Sequence, residues 1–181
     1  MRVTASGRDT GSCPSCTDWG VTDELPDKPV DRVSAFLRDS GAEARVQQFP
    51  EGTHTAQDAA DAVGCELAQI VKSLVFVCDG KPVVALVPGD RRGDSEKIAA
   101  AVEASSAKVA KPLEVEAATG FAPGAVPPFP LPDAVVVLMD SAFFRHPIVW
   151  AGAGSAQHVL GMAPSELARV ARARPLDVSS D

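Results

Sequence analysis

The sequence is short of aromatic residues and has no tyrosine: Phe and Trp together make up 5% of its 181 residues. A core must therefore be assembled from aliphatic side chains, which the 45% hydrophobic content supplies. Positive charge is also scarce. Against 24 Asp and Glu stand 17 Lys and Arg, a formal net charge of −7. This excludes a protein held on nucleic acid by a broad basic face, while leaving room for a small basic patch. No run of about eighteen apolar residues occurs, so no membrane span is expected. The first residues lack the apolar stretch of a secretory signal. The expected compartment is the cytoplasm, where Cys13, Cys16, Cys65 and Cys78 would be reduced thiols. A Walker-type phosphate loop, a GxGxxG turn, an HExxH helix and a readable Ser/His/Asp arrangement are all missing. Neither a cofactor nor a metal is expected.

What is present fits one domain with a tail. Residues 1–27 are rich in Gly, Ser, Thr, Asp and Pro, carry no helical or strand period, and are expected to form a flexible tail. The domain is expected over 28–181. Val30, Val33 and Leu37 recur at helical spacing before Gly41, which predicts a helix over 29–40. Strands are expected over 44–50, 73–78, 82–87, 134–140, 148–153 and 157–161. The second and third of these flank the turn-forming pair Asp79-Gly80 and predict a hairpin. Further helices are expected after Thr55, an N-cap with Asp58 three residues on, and over 94–105, 112–120 and 164–173. Regular βαβ alternation is absent. The expected fold class is α/β, with a mixed, largely antiparallel, barrel-like sheet surrounded by helices.

Two features could carry chemistry. Lys72 stands at the mouth of an apolar strand, between Ile70-Val71 and Leu74-Val75-Phe76. Position alone leaves two readings: a lysine that snorkels to water, or a pocket cation that holds a phosphate or carbonyl oxygen. Residues 120–133 (GFAPGAVPPFPLPD) carry five prolines and two glycines, which forbid regular structure. Such a stiff loop is either a surface connection or a close-fitting ligand wall. The rest is weaker. Cys13-Pro-Ser-Cys16 has metal-ligand spacing but no second pair. Cys65 and Cys78 read as core fillers. His158 reads as packing within a strand, whereas His54 beside two threonines could face a pocket, and His146 carries no readable signal. Asp140, ending an apolar strand, reads as a turn residue or a site residue.

The stretch TAQDAADAVGCELAQIVKSLVFVCDGKPVVALVPGD (55–90) resembles the YbaK/EbsC family, the prolyl-tRNA synthetase-associated editing domain. The likeness lies in the alanine-rich helix, the QIVKSLVF segment, the hairpin and the Pro88-Gly89-Asp90 stop. The loop from Gly124 to Pro128 resembles the family's Gly-x-x-x-Pro loop, and the AGAG turn (151–154) follows in order. The family loop often has a second glycine where this chain has Ala125, and continues with Gly-His where it has Pro130-Leu131.

This resemblance implies a free-standing, trans-acting hydrolase that deacylates mischarged tRNA, removing a small wrong amino acid such as Ala or Cys from tRNA for proline. It implies Lys72 and Gly124 as catalytic residues. It further implies a substrate-binding set of Thr55, Ser73, Gly124, Ala125, Val126, Pro127, Pro128, Asp140 and Gly152. The implied partners are the aminoacyl-adenosine end of tRNA and a synthetase, with the protein a monomer and no membrane involved. The acidic charge and the altered loop also fit a non-catalytic module that binds tRNA ends, a synthetase or another protein. Hydrolysis of a different small acyl ester is a third reading.

Overall fold

The computed structural model describes residues 28–53 and 55–181. The expected tail, its Cys13 and Cys16, and the candidate His54 lie outside the described residues. Five α-helices are described: α1 (Pro29–Ser40), α2 (Ala56–Val63), α3 (Ser95–Ala101), α4 (Pro112–Thr119) and α5 (Pro164–Val170). Ten strands accompany them: β1 (Arg45–Gln48), β2 (Ile70–Cys78), β3 (Lys81–Pro88), β4 (Arg92–Gly93), β5 (Ala107–Val109), β6 (Val136–Asp140), β7 (Val149–Ser155), β8 (His158–Met162), β9 (Arg174–Leu176) and β10 (Ser179–Ser180).

The main sheet has eight strands in the order β1-β8-β7-β2-β3-β6-β9, with β5 also on β2. Four of its pairings are antiparallel and three are parallel. The sheet is therefore mixed and mostly antiparallel, with helices flanking it, as expected. The long apolar run of β3 is explained by burial on both faces. Val84 and Leu86 join Val137 and Met139 in the core shared with Val33 of α1 and Leu167 of α5. Val83, Ala85 and Val87 point the other way, into a core closed by Ile98 of α3 and Val178. A third, smaller cluster seats Ala59 and Ala60 of α2 on Ile70, Trp150 and Val159.

Several boundaries differ from the sequence reading. The third helix stops at Ala101 instead of running to 105, because Glu103 adopts a left-handed φ of 56° and turns the chain toward β5. That turn is tied by the amide and hydroxyl of Ser105, each donating to Asp79 at 2.7 Å. Strand β2 begins at Ile70, three residues earlier than expected, so Lys72 lies inside the strand and not at its mouth.

Candidate active site

One edge of β2 is shared unequally. Its first two residues pair in parallel with Trp150 and Ala151 of β7. Its last three pair antiparallel with β5. Between these partners the edge opens onto a cavity of about 280 Å³, just below the range of about 300–1,000 Å³ for small-molecule sites. Ile70, Val71, Lys72, Ser73 and Leu74 all line it. Consecutive residues of a strand point to alternate faces, so five in a row can line one space only along the strand's edge. The other walls are Thr55, Ala56 and Ala59 at the start of α2, residues 124–126 of the stiff loop, Trp150 to Gly152 on β7, Ser155 and Ala156 at the β7–β8 turn, and Val159.

Lys72 is neither a free surface cation nor a core residue. Its Nζ donates to the carbonyl of Gly89 at 3.0 Å and to that of Arg91. The β3–β4 turn is thus a cradle for the ammonium, with one N–H left to point elsewhere. Burial pushes the Lys72 pKa below the ordinary lysine value, the nearby Asp90 works against that shift, and Arg92 adds to it. Gly89 is packed against this arrangement: a Cβ there would stand 2.4 Å from the carbonyl oxygen of Leu67.

The loop reaches the cavity by its first part only. Gly124 holds a left-handed φ of 82°, with nothing within 4 Å of where a Cβ would stand, so glycine is required by conformation and not by space. The amide of Ala125 donates to the carbonyl of Ala122 at 3.0 Å and is spent on the loop's own turn. Among the described residues the amides of Gly124 and Val126 have no partner, so they are the donors the loop can offer a ligand. Thr55 lines the cavity while capping α2. Its hydroxyl oxygen accepts from the Asp58 amide at 3.0 Å, and its own amide donates to the Asp58 carboxyl at 2.9 Å.

Of the residues singled out from sequence, Lys72, Thr55, Ser73, Gly124, Ala125, Val126 and Gly152 converge on this cavity. Three do not. Pro127 is buried, and Pro128 faces a separate groove with Phe36, Val170 and Arg172. Asp140 is 1% exposed and serves the structure. Its carboxyl accepts from the Ala142 amide at 2.8 Å, the Ser179 hydroxyl at 2.6 Å and the Val178 amide at 3.3 Å. It thereby fastens the C-terminal segment under β6 and lines no part of this cavity.

Sequence reasoning missed Trp150 and Ser155. Ser155 Oγ lies 2.7 Å from His158 Nδ1 and accepts from the Gln157 amide at 3.2 Å. His158 is therefore partnered to a cavity residue and is more than packing. The Ser-x-x-His spacing across a tight turn was the available signal. Among the described residues no cluster of three His, Cys, Asp or Glu side chains could hold a metal ion.

The fold recurs in known proteins. The profile of the aminoacyl-tRNA editing domain matches residues 50–170. The chain belongs to this family of aminoacyl-tRNA editing domains. It is 37% identical over 101 residues to a proline–tRNA ligase of Nitratidesulfovibrio vulgaris, covering 55% of this chain and 18% of the ligase. The chain thus spans about a fifth of the length of that curated relative. It is 31% identical over 122 residues to the multifunctional Ser/Thr-tRNA deacylase ProXp-y of Escherichia coli, covering 63% of this chain and 70% of that protein. The crystal structure of a proposed trans-editing enzyme for prolyl tRNA synthetase superposes with a TM-score of 0.78 at 35% identity, covering 84% of this chain and 98% of that one.

Proposed function

We propose that the protein is a trans-acting aminoacyl-tRNA deacylase that hydrolyses the ester between a small wrong amino acid and the terminal ribose of tRNA. The observation that carries this reading is that Lys72, its ammonium held by the β3–β4 turn, lines one small cavity together with Gly124 and Val126, whose amides have no partner among the described residues. The folded editing unit is residues 28–181. It works as a monomer in the cytoplasm, taking substrate released by a prolyl-tRNA synthetase.

The chemistry asks little of the protein. An aminoacyl ester is already activated, so orientation and charge stabilisation supply the acceleration. Water attacks the ester carbonyl, the carbonyl oxygen becomes an oxyanion, and the bond to the ribose oxygen breaks as that oxygen takes the proton. The products are the free amino acid and uncharged tRNA. The loop amides donate to the developing oxyanion. Lys72 directs its remaining N–H toward the ribose or phosphate oxygens of the terminal nucleotide. Exclusion by size does the sorting: Trp150, Val159 and Ile70 limit the side chain the cavity admits. A synthetic pocket separates neighbours differing by one methylene by only about 1–3 kcal/mol, and a second pocket multiplies that selectivity. Alanine and cysteine on tRNA for proline are the leading substrates.

The test is release of amino acid from a panel of Ala-, Cys-, Ser- and Thr-charged tRNAs by the wild type and by Lys72→Ala. Hydrolysis of one or more members, lost in the variant while its melting temperature is kept, is the expected result. No hydrolysis across the panel, with binding retained, would instead establish a non-catalytic module.

A further inference from the structure

Ser73 is the one residue of the open β2 edge whose main chain faces the cavity between β7 and β5. The argument is one of parity. The carbonyl of Val75 accepts from the Ala110 amide at 2.9 Å, so the main-chain groups of Val75 point toward the β5 side. Main-chain direction alternates along a strand, so Ser73 points to the same side. There the parallel ladder with β7 stops at Val71↔Ala151 and the antiparallel ladder with β5 begins at Phe76↔Val109. The register of β7 on β8 shifts between Gly152 and Ser155, just past the last residue of β7 that pairs with β2. Neither ladder reaches Ser73: no bridge pairs its main chain with β7 or β5, and no turn or loop group bonds to it. Lys72 and Leu74, by contrast, turn their main chains to β3, opposite Val87 and Ala85. An unpaired main-chain pair in a half-buried strand is costly, and calls for a partner.

We infer that this gap in the sheet is the recognition site for the α-amino acid itself, read by Ser73 as if it were the next residue of an added strand. This rests on the deacylase reading and names which groups of the substrate are held. In an antiparallel hydrogen-bonded pair, two residues exchange both N–H···O contacts. An α-aminoacyl ester carries the matching pair on adjacent atoms. Its α-ammonium donates to the Ser73 carbonyl, and its ester carbonyl accepts from the Ser73 N–H. This is strand addition reduced to one residue. It explains how one small cavity recognises amino acids of different side chains without a dedicated carboxylate for the ammonium: the common part is read by main chain, and the side chain meets only the walls. The mode is also chiral. The paired residue's side chain must lie on the same sheet face as that of Ser73, so an L-aminoacyl group fits and its mirror image turns the side chain to the opposite face.

The experiment uses semisynthesis or suppression to replace Ser73 by glyceric acid, which keeps the CH2OH side chain and exchanges the single N–H for an ester oxygen. The ligand is 3′-alanylamido-3′-deoxyadenosine, in which an amide replaces the scissile ester. The expected result is an affinity and a kcat/KM on the best tRNA of the panel each lowered about tenfold or more, with the fold retained and the melting temperature falling only as far as the weaker ester carbonyl at Lys72 loosens its pair with Val87. In the wild type, the ligand slows hydrogen exchange of the Ser73 amide, and the D-alanyl analogue does not. Unchanged affinity and kcat/KM in the backbone variant overturn this proposal while leaving the deacylase reading intact, since the wild type still hydrolyses. If the variant misfolds, exchange at Ser73 decides: ligand-induced shifts at Gly124 and Trp150 with Ser73 unprotected overturn it equally. Failure of the wild type both to deacylate and to bind the ligand overturns both readings.

Discussion

The indole of Trp150 rests on Gly161 of the neighbouring strand, so closely that a methyl group at 161 would lie 2.7 Å from Cζ3. The two residues are direct partners in the β7–β8 register. A bare backbone at 161 is what lets the ring lie flat against the sheet and form one wall of the cavity.

Gly161→Ala must therefore move the ring. The expected stability loss is about 1–3 kcal/mol, typical of overpacking. The displaced indole should alter the size limit, changing the ratio of kcat/KM between Ala- and Ser- or Thr-charged tRNAs. Gly152→Ala is the control. It also lines the cavity, but a Cβ there meets nothing within 4 Å, so its stability should stay within about 0.5 kcal/mol of wild type. Denaturant unfolding beside the deacylation panel measures both. An unaltered substrate ratio in Gly161→Ala would remove Trp150 from the size filter.

Lys72 sets a pH dependence whose sign follows from its surroundings. Burial lowers its pKa, so the ammonium is lost at a lower pH than in an exposed lysine. The alkaline limb of kcat/KM should begin correspondingly early. Asp90 opposes the shift and Arg92 adds to it, so Asp90→Asn should move the limb to still lower pH and Arg92→Gln to higher pH. For folding, the native state binds fewer protons than the unfolded chain between the lowered value and the ordinary one. Stability from this group therefore rises with pH across that window. A pH–rate profile that ignores both substitutions would mean the charge of Lys72 is not used.

Asp140 belongs to the scaffold. Asp140→Ala strands three donors, the hydroxyl of Ser179 and the amides of Ala142 and Val178. The expected cost is about 2–5 kcal/mol in unfolding free energy, with the activity of the molecules that remain folded unchanged at saturating substrate. A fall in kcat without a fall in stability would return Asp140 to the site.

How far each part could be read from sequence depended on how local its cause was. The β2–β3 hairpin was readable because Asp79-Gly80 and two apolar runs are neighbours. The helix after Thr55 was readable because its capping box spans three residues. Lys72 and the loop at Gly124, singled out separately, both line the cavity. Their meeting, however, depends on the parallel pairing of β2 with β7, some 80 residues apart in Ile70↔Trp150, which no local period reports. Asp140 misled for the same reason: a strand end looks alike in sequence whether it faces a cavity or a docked segment. Ser155 reaches the cavity just past a register shift in β7, and an apolar run with two glycines does not announce one. Strand β9, three residues long, exists beside the longer β6, whereas β4 and β10, two residues each, pair with one another across some 85 residues; none is long enough to carry a period.

The cradle of Lys72 also has a place in time. Its two carbonyls sit at Gly89 and Arg91, on a turn whose next residues are held by the far end of the chain: Arg92 pairs with Ser180 and Gly93 with Ser179. During synthesis on the ribosome, the strand bearing Lys72 and the turn opposite it emerge early. The strand pairing on the far side of that turn waits until residue 180 has been made. A nascent chain thus carries the lysine long before it carries the strand that closes the turn around it.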